Sequence, residues 1–217
     1  MNKSTIRLCS LRATDGGARL AMHVEIKSDA GVETEVLSPY VARLEELPQI
    51  GGMSAEELDF YREESQFAEA LAKGYRCLGY ANVSPAALLQ KLQKANVSAT
   101  RAKEVLAYLT ETGMFCEEEN VLHETEKCLA KLWGDRRILM ALQGKGYGSE
   151  AVSVAYHRLC EEDDDARCAR LIQKRRLSVE ENEQDRGRLL ATLFRYGYHS
   201  TNIKNAIRIV KEDNKRR

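Results

Sequence analysis

The side chains with the clearest capacity for chemistry are cations in the C-terminal half: Arg136, Arg137, Lys145, Lys174, Arg175, Arg176, Arg186, Arg188, Arg195 and Lys204. A guanidinium offers a planar fork of donors that fits phosphate and carboxylate oxygens, and an ammonium supplies a compact positive charge. Over 217 residues Lys+Arg and Asp+Glu balance at 33 each, but the balance is not local. From Gly134 onward 18 Lys and Arg stand against 13 Asp and Glu, and from Ala166 onward 14 stand against 6, so the preceding part of the chain is acidic. A basic end on a neutral chain predicts a polyanion or an acidic protein surface as partner.

Catalytic and metal-binding patterns are weak beside this. Gly144–Gly148, GKGYG, follows a helical stretch rather than a strand and lacks the Lys-Ser or Lys-Thr of a phosphate loop, so it reads as a helix C-terminal turn. His123-Glu124 begins like a zinc-protease helix, but Lys127 stands where the second His belongs. The six cysteines form no CxxC pair, which argues against a structural zinc site and for idle thiols in a reducing compartment. No catalytic residue, cofactor site or metal site is expected. No 18-residue apolar run is present and MNKSTIRLCS lacks a signal-peptide core, so a cytoplasmic protein without a membrane span is expected.

The elements that must position the cations repeat. Ser84–Leu109, Gly134–Leu159 and Asp185–Val210 each read as helix, turn, helix, about 50 residues apart. Five columns keep their chemistry: Leu88/Ile138/Leu189, Leu92/Leu142/Leu193, Val97/Tyr147/Tyr198, Ala102/Val152/Ile203 and Leu109/Leu159/Val210. Leading helices at Glu117–Trp133 and Asp165–Leu177 make each unit a three-helix repeat. Ser98, Ser149 and Ser200 fall at N-cap places. Arg137 and Arg188 share a column beside the apolar stripe, which predicts a row of exposed charge along one ridge. Trp133 and Tyr147 read as core residues.

Residues 1–53 differ. Thr5–Leu11, Arg19–Lys27 and Val32–Leu37 alternate apolar and polar residues and are separated by glycine turns, which predicts β-hairpins. Ser38-Pro39 predicts a helix to about Leu47, Pro48–Gly52 a connector, and Ser54 with Glu57 a capping box for a helix whose buried face holds Phe67, Leu71 and Leu78. The tail from Asn214 is expected to be disordered. The fold class is thus mainly α: tandem three-helix repeats in an elongated, curved array, with a small N-terminal β-hairpin module. The domains expected are 1–53, 54–115, 116–164 and 165–217.

The middle repeat, LWGDRRILMALQGKGY, resembles the G-x-x-R/K-I-x-x-x-L-x-x-K-G segment of the RecX family, with Gly134, Arg137, Ile138, Leu142, Lys145 and Gly146 in the matching places. The three-unit plan, the Arg195–Tyr198 R-Y-G-Y and the N-terminal hairpin module extend the resemblance over the chain. The first repeat departs from it: Ala81–Leu88 lacks the family's paired arginines and glutamate, which leaves repeats two and three as the better contacts. The resemblance implies a non-enzymatic, monomeric regulator lying in the groove of the RecA–DNA filament and limiting strand exchange, ATP hydrolysis and coprotease activity. DNA binding alone would then be weak or dependent on RecA. A stand-alone helix-turn-helix DNA-binding protein is the alternative, although no recognition helix carries a base-reading Arg, Asn or Gln cluster. A general interaction scaffold is a third reading.

Overall fold

The computed structural model describes residues 5–79, 82–179 and 182–216, which form two compact units: the described residues of 5–79 with 91–108, and those of 82–90 with 109–216. In the first, strands β1 (Thr5–Thr14), β2 (Arg19–Ser28), β3 (Gly31–Leu37) and β4 (Gly51–Met53) form an antiparallel sheet in the order β3-β2-β1-β4. Alternate residues Ile6 and Leu8, and Leu20, Met22 and Val24, point to one face and pack with Leu37 on Leu58 of helix α1 (Ala55–Leu78). The Ser54 hydroxyl accepts from the Glu57 N–H while the Glu57 carboxylate accepts from the Ser54 N–H, the expected capping box. Phe67 and Leu71 are buried and Leu78 is half-buried. Arg43 lies over the Phe67 ring, 3.9 Å from its centroid, and grips Glu64 through two bonds of 2.6 and 2.9 Å.

Two expectations fail here. No helix follows Ser38-Pro39; only Val41–Arg43 forms a short 3-10 turn. The backbone is used otherwise, since Leu20 N–H donates to Pro39 O, Val41 N–H donates to Ala18 O, and Arg19 bridges Tyr40. The connector after Pro48 likewise ends in β4, whose three residues cover the open edge of β1.

Helices α2 (Pro85–Lys94) and α3 (Ala99–Glu111) follow α1, then α4 (Glu117–Ala130), α5 (Asp135–Gly144) and α6 (Ser149–Cys160), then α7 (Asp164–Arg175), α8 (Glu183–Arg195) and α9 (Ser200–Arg216). This is a mainly helical fold of three successive triplets with a small N-terminal sheet. Fourteen of the fifteen column residues are buried and Val152 is half-buried, its place in the core taken by Ala151. The second core joins Val121 and Cys128 of α4 to Ile138, Leu142, Tyr147, Ala155 and Leu159; the third joins Cys168 and Ile172 of α7 to Leu189, Leu193, Tyr198, Ile203 and Val210. Burial pushes the Cys168 thiol up to about 12.

The second helix of every triplet ends in the same way. Asn96, Gly146 and Gly197 have φ of 60°, 80° and 93°, and the next residue's N–H reaches back five residues, from Val97 to Leu92, Tyr147 to Leu142 and Tyr198 to Leu193. This paired-bond turn needs a left-handed residue, which explains the central glycine of GKGYG, Gly146, without any phosphate. The serine caps hold only in part. The Ser98 hydroxyl accepts from the Arg101 N–H at 3.2 Å, but α6 is capped at Gly148, whose N–H is taken by the Glu117 carboxylate at 2.6 Å, and Ser149 and Ser200 are already helical. The columns keep a constant offset of 50 residues between the first two repeats, so Ser98 is matched by Gly148 and not by Ser149.

The leading helices are shorter than expected. Leu132, at φ 57°, stops α4, and left-handed Arg176 stops α7. Within the acidic run Glu161–Asp165, Asp163 caps α7 by accepting from the Ala166 N–H, and Asp165 accepts from the amides of Asn202 and Asn205. Of the expected loose connection Ser178–Gln184, Glu180 and Glu181 lie outside the described residues, and Asn182 caps α8. The tail is ordered to Arg216 as the last turns of α9. Among the described residues no helix is long and apolar enough to cross a membrane.

Candidate cation–aromatic groove

Within the second unit, helix starts and helix ends are joined at two equivalent points. The Ser84 hydroxyl at the start of α2 donates to Lys145 O at the end of α5 at 2.5 Å; the Gly134 N–H at the start of α5 donates to Tyr196 O at the end of α8 at 2.9 Å. Close backbone approach repeats as well. A Cβ on Gly146 would collide with Ala86, and one on Gly197 with Arg137. A Cβ on Gly134 would sit 2.7 Å from the carbonyl group of Gly197 and 2.8 Å from Tyr198 N. Gly134→Ala is therefore expected to lower stability by about 2 kcal/mol through overpacking against backbone. Gly144→Ala, with nothing within 4 Å, is expected to raise it by up to about 1 kcal/mol through helix propensity. Urea midpoints of the two variants, moving in opposite directions, check the claim.

Each joint carries a groove, and the two share seven matching positions. Val83, Ala86, Ala87 and Gln90 with Gln143, Gly144 and Gly146 line the first, of about 430 Å³. Trp133, Arg136, Arg137 and Met140 with Phe194, Arg195 and Gly197 line the second, of about 570 Å³. At these matching positions the same frame thus presents uncharged residues at one joint, and cations with large apolar side chains at the other; the first groove's charged lining residues are the paired Glu124 and Lys145. No acidic residue lines the second groove. Packing does not require this decoration, because the first joint is made without it.

Arg137 is half-buried. Its guanidinium lies 4.0 Å from the Trp133 ring centroid and 5.2 Å from that of Tyr196, and donates to Arg195 O at 3.2 Å. Arg136 and Arg195 are exposed and make no ion pair or hydrogen bond through their side chains among the described residues. Met140 and Phe194 beside them are 62% and 50% exposed.

The structure brings together three of the ten sequence-selected cations, Arg136, Arg137 and Arg195. Lys145 lines the first groove instead, paired with the largely buried Glu124 of its own triplet. Arg175 donates to the Tyr196 hydroxyl at 2.5 Å. Lys174, Arg176, Arg186, Arg188 and Lys204 are exposed without an ion pair among the described residues, Arg176 as the left-handed cap of α7 and Arg186 and Arg188 on α8. Met140 and Phe194 were not selected from sequence, and Trp133 was assigned to the core, which it borders. Their signal lay in the columns: Met140 aligns with Gln90 and Phe194 with Gln143, apolar residues at positions that face solvent.

Arg167 holds the groove's near wall from behind. It is 1% exposed; its Nε donates to Trp133 O at 3.0 Å, and Nη2 bonds Asp135 Oδ1 at 2.6 Å and Asp164. One α7 side chain thereby fixes both Trp133, two residues before α5, and the helix's first residue, Asp135. Burial pushes the Asp164 carboxyl up from 3.8 to about 6, against the lowering effect of Arg167. A raised carboxyl favours the protonated fold, so its contribution is fully present below about pH 4 and is lost as pH rises through about 6. The stability of wild type minus that of Asp164→Asn is expected to fall by on the order of 2 kcal/mol between pH 4 and 7. Urea unfolding of both proteins across that range checks the sign; a rising difference contradicts it.

No family model matches the sequence, and no curated protein matches it at the sequence level. Solved structures do match. A crystal structure of the regulatory protein RecX superposes with a TM-score of 0.72 at 14% identity, covering 95% of this chain and 99% of that one. RecX from Lactobacillus salivarius superposes with a TM-score of 0.58 at 14% identity, covering 67% of this chain and 97% of that one. The fold of this chain is the RecX fold.

Proposed function

We propose that the chain is a non-enzymatic, RecX-like regulator. In this reading it acts in the cytoplasm as a monomer, binds the RecA–DNA filament and restrains its strand exchange, ATPase and coprotease activities in DNA repair and the damage response. Its contact surface is the groove of Arg136, Arg137 and Arg195, and the exposed Lys174, Arg176, Arg186, Arg188 and Lys204 add attraction without a built site. The observation that carries the reading is the unequal decoration of two equivalent joints: three arginines with exposed Met140 and Phe194 line one, whereas Ala86, Ala87, Gly144, Gln90 and Gln143 stand at the matching positions of the other, whose one cation, Lys145, is paired with Glu124. The diverged first repeat accordingly contributes little to the contact.

The same groove speaks against a stand-alone DNA reader. Arg137 covers a Trp133 face on which a base would otherwise stack, and the lining holds no Asn or Gln for base edges. The test is titration of the purified protein into RecA ATPase and strand-exchange reactions at low salt. Inhibition that weakens as salt rises is expected, because the contact is charge-driven. Unchanged ATPase and strand exchange at low salt would overturn the proposal, as would tight sequence-dependent DNA binding without RecA.

A further inference from the structure

We propose that the cation–aromatic groove, whose role as a contact surface rests on the reading above, receives an acidic protein segment carrying one bulky apolar side chain. Two properties select this occupant. Three guanidiniums converge with no carboxylate among the lining residues, so the complementary chain is anionic. Met140 and Phe194 flank them with 62% and 50% of their surface in water. A phosphate backbone gains nothing from that apolar surface, whereas an apolar side chain set among carboxylates satisfies both halves of the groove. Methionine, flexible and polarizable, suits such a contact because it adapts to the shape it meets.

A single-stranded nucleic acid fits less well. Base stacking needs a free aromatic face, and Arg137 already lies over Trp133 at 4.0 Å from its centroid while tied to Arg195 O. Displacing it would break both contacts. Phe194 alone remains open, too little for successive bases. The neutral joint makes the contrast internal: Gln90 and Gln143 stand where Met140 and Phe194 stand, and Ala86 and Gly144 where Arg136 and Arg195 stand. Charge and apolar surface change together there, as a mixed ligand requires and a polyphosphate does not.

Trp133 is the chain's one tryptophan and lines the groove, so its emission reports occupancy directly. The probes are a synthetic peptide of six acidic residues around a central Phe, the same peptide with Ser in place of Phe, and a heptathymidylate. The Phe peptide is expected to bind at least 10-fold more tightly than either of the others. Phe194→Ser should erase its advantage over the Ser peptide, and Arg136→Gln with Arg195→Gln should weaken both peptides. Equal affinity for the two peptides, tighter binding of the thymidylate, or no binding of the Phe peptide overturns the inference. Inhibition of RecA ATPase, measured with the same proteins, separates this failure from that of the broader reading. Inhibition without peptide preference removes the apolar anchor only; peptide preference without inhibition removes RecA only.

Discussion

A chain with Arg136→Gln and Arg195→Gln together is expected to inhibit a RecA filament about 100-fold less well than wild type, with an unchanged urea midpoint. Both guanidiniums are exposed and unpaired among the described residues, so their loss removes no internal contact. On the proposed function each makes charge-assisted hydrogen bonds to the filament, and at about 1.5 kcal/mol each, the low end for charged groups, two such losses amount to roughly two orders of magnitude in affinity. Arg186→Gln with Arg188→Gln removes the same formal charge outside the groove. Its effect is expected to stay below about 10-fold and to vanish at high salt, since screened, unlocalised attraction is all it removes. Titrated inhibition at two salt concentrations distinguishes the pairs. Equal losses would mean that only net charge matters.

The largest effect on stability is expected at Arg167. Arg167→Ala leaves Asp135 and Asp164 facing a space from which water is largely excluded, without the cation that offsets them, and frees Trp133 O. Breaking a buried pair by removing one partner costs about 3 to 5 kcal/mol. Urea unfolding followed by Trp133 emission should show a loss of that size. The combined Arg167→Met, Asp135→Asn, Asp164→Asn variant should recover part of it, because no charge is then stranded. A loss under about 1 kcal/mol for Arg167→Ala would show that the cluster is solvated and does not hold the start of α5.

The repeat could be read from the sequence because its columns are core residues at helical spacing, and burial enforces chemistry there. The turns were legible for a similar reason: Gly146 and Gly197 stand where the backbone must be left-handed. Sidedness was not legible. Lys145 and Arg136 look alike in sequence, yet one is spent on Glu124 and the other faces solvent. The choice depends on Glu124 of α4, 21 residues away from Lys145 and on another helix. The ten sequence-selected cations thus divide into three that line one groove, two engaged within their own triplets and five exposed elsewhere. Ser38–Leu47 failed because a proline-led start signal is local, whereas the hydrogen bonds that claim that backbone come from residues 18–20. Arg167 gave no warning, as a cation within a helical stripe reads as exposed unless its partners are known.

Hydrogen–deuterium exchange of the chain with and without the assembled RecA–DNA filament tests the central claim most directly, since both joints are measured at once. Slowed exchange at residues 133–141 and 194–197, with residues 82–90 and 143–147 unchanged, is the predicted footprint. Equal slowing at both joints, or slowing confined to the neutral one, would contradict it.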